Sequence, residues 1–367
     1  MKKPYCISAC ISNNYANAVS LIRLTALLLL FLFSNSTLCS SPVSPSHNFK
    51  VLQSSQFPVS QVLRLLSSGY GPEDIVSDTL HNPPRILVSC ASRRPEYPFY
   101  GEIESIDPVK GSRLVMTRIG EPAGLLFRPH GISLVQAGEM QYLFVITHDD
   151  AKGIHPIIQY LLDGNNLVFV KLLSSKLLVS PNALQAFPDG SLLVCNDAAE
   201  RNSMKEKIFK LKRGNILYCD GHGNWTIVAT NLGMPAGLTG IGTRIFVSGT
   251  LENKLYSYQF IDGQLTGKKL VCNIKGPDNI RVNNGNLIIT SHSKPFKFIG
   301  HVKDPSRKSP SLVISVNPRT GKSTRLFYDS GKMISAASVA LIFNNQLIIG
   351  QIFEPFIGII DIQKQNP

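Results

Sequence analysis

From residue 70 onward, apolar residues fall in short runs rich in Val, Ile, Leu and aromatics, and Gly, Asn, Asp and Pro separate each run from the next. Runs of this kind bounded by turn formers read as strands, and helical spacing of apolar positions is scarce over the same stretch. The pattern predicts an all-β protein.

The runs also repeat. A unit of Pro, two small or polar residues and Ile or Leu, followed by a turn and an apolar run, recurs five times: PEDI (72–75) with RILVSC, PHGI (129–132) with YLFVITH, PNAL (181–184) with SLLVCND, PAGL (235–238) with RIFVSG, and PDNI (277–280) with NLIITSH. A degenerate sixth copy, AASVALIF with QLIIGQI, begins at 336. Each interval holds two further runs, such as NILYCDG and NWTIVAT, so four strands in each of six units predict a six-bladed β-propeller over 71–363. A single blade cannot bury both faces alone, whereas blades packed radially bury each other's. The segment 41–70 is expected to supply a closing strand, at FKVLQSS (49–55), beside the C-terminal run FIGIIDI.

Residues 1–40 stand apart: Lys2, Lys3 and Arg23 are their only charges, and LTALLLLFLF (24–33) is followed by the small polar segment SNSTLCSS. This reads as a secretory signal, with export to the outside or the periplasm. Extended back past Arg23, the same segment reads as an uncleaved membrane anchor. At 43% hydrophobic and 17% charged residues the chain is not of disordered composition. Of its formal net charge of +13, much of the excess sits in 294–325, where Lys294, Lys297, Lys303, Arg307, Lys308, Arg319, Lys322 and Arg325 face Asp304 and little else. Such a segment can touch an anionic membrane surface; without an aromatic-interleaved or helical recognition motif, nucleic acid is not expected as a partner. The expected state is a monomer. Cys90, Cys195, Cys219 and Cys272 sit in or beside strand-like runs with no framework spacing, and are expected as free thiols.

Closing a propeller brings the first strand of every blade to the central channel. The two positions after each repeat Pro, Glu73-Asp74, His130-Gly131, Asn182-Ala183, Ala236-Gly237 and Asp278-Asn279, then project toward one axis. Carboxylate and amide oxygens gathered there are hard donors suited to Ca²⁺. Zinc fits poorly, since there is no HExxH and no paired Cys; a GxSxG elbow is absent too. A hairpin symmetric about residue 139 would pair His130 with His148 on one face, so that one orients the other as a general base for water.

At GPEDI, FRPHGISL, YLFVITH, SPNALQAFPDGSLLVCND, GPDNIRV and SVALIFNNQLIIG, in that order from about 70 to 355, the chain resembles the paraoxonase and arylesterase family of calcium-dependent lactonases and esterases. The resemblance implies that Glu73, Asn182, Asp278 and Asn279 are ligands of a catalytic calcium, that His130 and His148 form a histidine dyad, and that His292 lies in the substrate pocket. It also implies that Asp74 and the carbonyl of Ile132 belong to a second, structural calcium site. Two positions depart from the family: Ala236 replaces an amide ligand, and Ala183 removes a carboxylate from the second site. The family's terminal disulfide has no counterpart, because no Cys follows Cys272. Two functions follow: a secreted hydrolase of lactones or aryl esters, or a catalytically silent propeller that binds a ligand or protein.

Overall fold

The computed structural model describes residues 63–362, so residues 1–40 and the segment 49–55 lie outside the described residues. The chain opens with β1 (Leu63–Ser67) and then builds its blades in order. The first blade is β2 (Pro72–Asp78), β3 (Arg85–Ala91), β4 (Gly101–Asp107) and β5 (Ser112–Val115). The second is β6 (Thr117–Ile119), β7 (Pro129–Ala137), β8 (Met140–Thr147), β9 (Ile157–Asp163) and β10 (Asn166–Leu173). The third holds β11 (Pro181–Ala186), β12 (Leu192–Asn196), a short helix α1 (Met204–Phe209), β13 (Gly214–Cys219) and β14 (Trp225–Leu232). The fourth is β15 (Pro235–Ile241), β16 (Arg244–Gly249), β17 (Lys254–Ile261) and β18 (Gln264–Asn273). The fifth is β19 (Pro277–Asn283), β20 (Asn286–Ser291), helix α2 (Pro295–Lys303), β21 (Ser311–Val316) and β22 (Ser323–Asp329). The last is β23 (Ala337–Phe343), β24 (Gln346–Gln351) and β25 (Phe356–Asp361), with β1 as its outer strand.

This is the expected six-bladed propeller, with two corrections. Closure is made by β1, five residues LRLLS paired antiparallel to β25 with Leu65 opposite Gly358, so the closing strand lies later than FKVLQSS. The second blade has five strands, because β6 adds to the outer edge parallel to β10.

The second strand of each blade explains the unbroken apolar runs. In β16, Ile245 and Val247 pack toward the third blade while Phe246 packs toward the fifth. In β8, Phe144 and Ile146 face the third blade, and Leu143 and Val145 the first. Both faces of these strands are buried, so alternation of apolar with polar gives way to continuous hydrophobicity. Six buried clusters fill the six gaps between blades, each fully buried Ile, Leu or Val contributing about 1.5–3 kcal/mol. The last gap, between Ile75, Ile86 and Val88 and Val339, Ile348 and Ile357, closes the circle by packing. Cys90, Cys195, Cys219 and Cys272 are all free.

The inner strands carry a shared irregularity. In every blade the pairing with the second strand slips immediately after the first residue of the repeat: after Pro72, Pro129, Pro181, Pro235, Pro277 and Ala337. A bulge turns the residue it leaves unpaired out of the pleat. Around the channel the inner strands then approach so closely that a Cβ on Gly131 would stand 2.3 Å from the carbonyl oxygen of Asn182. Only glycine fits there, and the same holds at Gly237 against Asp278.

Candidate active site

The six bulges deliver Glu73, His130, Asn182, Ala236, Asp278 with Asn279, and Ser338 to one end of the channel. Glu73 is 4% exposed and Asn279 2%. Glu73 is the hub: the Nδ2 of Asn279 donates to its Oε1 at 3.3 Å, and His130 Nε2 lies 3.3 Å from the same oxygen. Ser338 donates to its backbone carbonyl at 2.8 Å.

A second ring backs the first, built from residues just past the end of each second strand. His148 Nε2 lies 2.9 Å from His130 Nδ1. Asp197 accepts the Nδ2 of Asn182 at 3.3 Å, and His292 Nε2 meets Asp278 at 2.9 Å. Arg93 approaches Glu73 to 3.9 Å, too far for a hydrogen bond. In the fourth blade Ala236 has no polar group to be backed, and Thr250 donates instead to the carbonyl of Pro277.

The histidine pair forms as expected, but by a different register. The hairpin turns between Ala137 and Met140, Pro129 stands opposite Thr147, and the bulge at 130–131 swings His130 onto His148, which lies past the strand end. Burial works to raise the carboxyl of Glu73, yet His130, Arg93 and Asn279 together outweigh it and hold it at about 2. Burial raises Asp278, with His292 opposing. His148 is pushed well below the usual histidine range by burial, with Arg201, His130 and His155 adding to it, so it is neutral.

A metal ion is implied by the resemblance, and the donor set can be tested against it. Among the described residues no three His, Cys, Asp or Glu side chains converge as a metal cluster. The candidate set mixes carboxylates with amides, and two of its oxygens, Glu73 Oε2 and Asn182 Oδ1, are buried without a hydrogen-bond partner. An orphaned buried acceptor costs about 1–3 kcal/mol, and two of them in one ring, beside the carboxylate of Asp278, suit a hard cation. As placed, Asn279 offers Glu73 its Nδ2, so ligation by this residue requires the amide to turn its Oδ1 inward. The residues fit one calcium.

They do not fit a second. Asp74 Oδ1 accepts from the guanidinium of Arg281 and from Ile75 N–H, and its Oδ2 accepts from Ile132 N–H at 2.8 Å. Arg281 further donates to the carbonyls of Ile75 and Ile280, at 2.6 and 2.9 Å. A built-in cation therefore already answers Asp74, the carboxylate expected to hold that metal with the Ile132 carbonyl. Burial raises Asp74 to about 6, with Arg281 opposing and Glu73 adding to the rise.

His292 stacks on Phe298 of α2 with ring centroids 4.1 Å apart, which ties the helix over that side of the ring. Sequence reasoning missed Arg93, Asp197, Arg281, Ser338 and His155. Asp197 had a readable signal, since it follows SLLVCN as His148 follows YLFVIT; Arg281 had none, because a basic residue on an inner strand gives no sign of its partner.

A six-bladed propeller with an acid, amide and histidine ring at one channel mouth defines the class of protein. An arylesterase family model matches residues 99–357, and the chain belongs to that family. It is 23% identical over 279 residues to rat serum paraoxonase/arylesterase 1, covering 69% of this chain and 78% of the relative. It is 25% identical to chicken serum paraoxonase/arylesterase 2, over 73% and 77% of the two chains. Among solved structures, a gluconolactonase from Xanthomonas campestris matches with a TM-score of 0.51 at 14% identity, over 82% of this chain and 90% of that one. A putative gluconolactonase matches with a TM-score of 0.54 at 15% identity, over 83% and 93%. Both share the fold.

Proposed function

We propose that this protein is an exported, calcium-dependent hydrolase of lactones or aryl esters. The observation that carries the reading is the pair of orphaned oxygens, Glu73 Oε2 and Asn182 Oδ1, in the same ring as a hydrogen-bonded histidine pair. Glu73, Asn182, Asp278 and Asn279 would hold the ion. The chemistry a calcium supplies there is polarisation of the carbonyl oxygen and of its developing negative charge.

The chain's own residues do the rest. His130 presents Nε2 toward Glu73 and the channel mouth, where a water is deprotonated. His148, buried and neutral, fixes the orientation of His130 through the 2.9 Å contact and takes up its displaced proton. His292 and Asp278 brace one wall, with Phe298 behind them. The names of the relatives, paraoxonase, arylesterase and lactonase, support this substrate class.

Ala236 favours a second reading. It is 1% exposed and puts a methyl group where a fifth oxygen donor would complete the ring, as expected of a propeller that binds without turnover. Assay of the exported body on phenyl acetate and a lactone panel, with calcium or chelator, separates the two. Hydrolysis that chelator removes, and that His130→Gln lowers by about 10²-fold or more, is the expected result; calcium-insensitive folding with no turnover supports the binding module.

A further inference from the structure

The histidine contacts do not stop at His148. Between β8 and β9, Asp149 and Ile154 form an antiparallel bridge, with backbone hydrogen bonds of 2.8 and 3.1 Å, and Thr147 N–H donates to the carbonyl of Pro156 at 3.0 Å. That register sets His148 opposite His155, at a pair without mutual backbone bonds, where facing side chains stand closest. Their Nδ1 atoms are 3.2 Å apart. The rings of His148 and His155 repeat the geometry of His130 and His148: centroids 5.1 Å apart and planes at 69° in both. His155 is 5% exposed, and it lines a cleft of about 580 Å³ together with Ser174, Ser175, Lys176, Glu200 and Arg201. Of the three rings, it alone lines that cleft.

We propose that His155 is the third member of a histidine relay, a positioning residue that acts through His148 and opens the proton path from His130 to this cleft. The inference rests on the hydrolase reading. His130 takes a proton from the attacking water on Nε2 and releases the proton on Nδ1 to Nε2 of His148. His148 releases its own Nδ1 proton to Nδ1 of His155, and His155 releases the proton on Nε2 to water in the cleft. Each ring gains one proton, loses one and is left neutral in its other tautomer. The chain resets when a proton passes back along it to the leaving alkoxide, and the carboxylic acid product ionises to balance the turnover.

A relay of this kind needs neutral rings, each with one donor and one acceptor nitrogen. Burial favours that state at the two inner members: His148 is lowered chiefly by burial, and His155 is lowered by burial, with Arg201 adding and Asp150 and Asp149 opposing. The charged groups around it are Arg201, Lys176 and Glu200 across the cleft, and Asp149 and Asp150 on its own loop, where Asp150 is engaged by Arg201 at 2.5 Å.

The test compares His155→Asn with His155→Phe. An Asn amide can replace Nδ1 as a partner for His148 but cannot pass a proton, whereas Phe removes both. The expected result for His155→Asn is a fall in kcat on the order of tenfold, smaller than the ~10²-fold loss of a general base itself. KM stays unchanged, and imidazole added to the buffer restores the rate. An unaltered kcat, or a loss that imidazole does not restore, overturns the relay. A turnover-independent readout is ¹⁵N NMR of the His148 ring: its Nδ1 signal should keep a hydrogen-bonded position in His155→Asn and move in His155→Phe. A His148 signal indifferent to both variants overturns the contact. A wild-type protein that shows the coupling and hydrolyses nothing overturns the hydrolase reading instead.

Discussion

Glu73 and Asp74 are chain neighbours, both carboxylates, and both at least 96% buried, yet they live under opposite conditions. Asp74 has every oxygen engaged: two backbone N–H groups and the Arg281 guanidinium answer its charge from inside the fold. Glu73 keeps one oxygen without a hydrogen bond and leans on groups that are themselves offered to the channel. A buried charge must be paired or neutralised, and this pair shows both ways of doing so. Asp74 is paired with a cation tethered to the chain; Glu73 has no such partner within hydrogen-bond reach, and in the proposed reading a calcium ion would answer it.

The sharpest way to break that comparison is to remove the tethered cation. Arg281→Met leaves Asp74 buried without its partner, so that it must take up a proton or stay uncompensated, and should lower the free energy of unfolding by up to about 3–5 kcal/mol, read from urea titration. Adding Asp74→Asn to the same variant should recover part of the loss; a single variant as stable as the wild type would mean that Asp74 is held by its backbone donors alone. The Glu73 side should respond to solution instead. Calcium at a hundred times its dissociation constant should stabilise the wild type by about 2.7 kcal/mol in a thermal melt, and Glu73→Gln should abolish that shift while Arg281→Met keeps it.

Acid probes the histidines that back the ring. His148 titrates well below its ordinary value of 6.5 in the fold, so the unfolded chain binds more protons as pH falls through 6.5. Its contribution is therefore fully present above 6.5 and is lost progressively below it. Urea midpoints should fall on acidification through that window, and His148→Gln should flatten the fall. The smallest effect is expected from restoring a donor: Ala236→Asn adds a fifth oxygen to the ring and should tighten calcium several-fold by equilibrium dialysis, in keeping with the dependence of affinity on the ligand set.

The repeat and the strand count were legible because the second strands are buried on both faces. Their runs, RILVSC and RIFVSG among them, cannot be mistaken for half-exposed strands. The ring residues were legible by position, since the repeat Pro marks the bulge in five blades; in the sixth, where Ala337 replaces it, Ser338 went unread. The pairing of His130 with His148 was anticipated from a regular hairpin, and the structure reaches it through a bulge. His155 was readable in principle, as the residue opposite His148 across HDDAKGIH. The extra strand β6 gave no signal, being only three residues of an exposed edge.

By itself the sequence determined the architecture, because burial on two faces and a recurring turn chemistry are local properties written into each run of residues. It also determined which side chains meet at the channel, since closure of a ring converts repeat position into spatial position. Only the tertiary structure decided how each charge is answered. That Arg281 reaches Asp74 while Glu73 stays open depends on the distance between strands 207 residues apart, and electrostatic pairing is set by separation in space, which no local pattern of residues encodes.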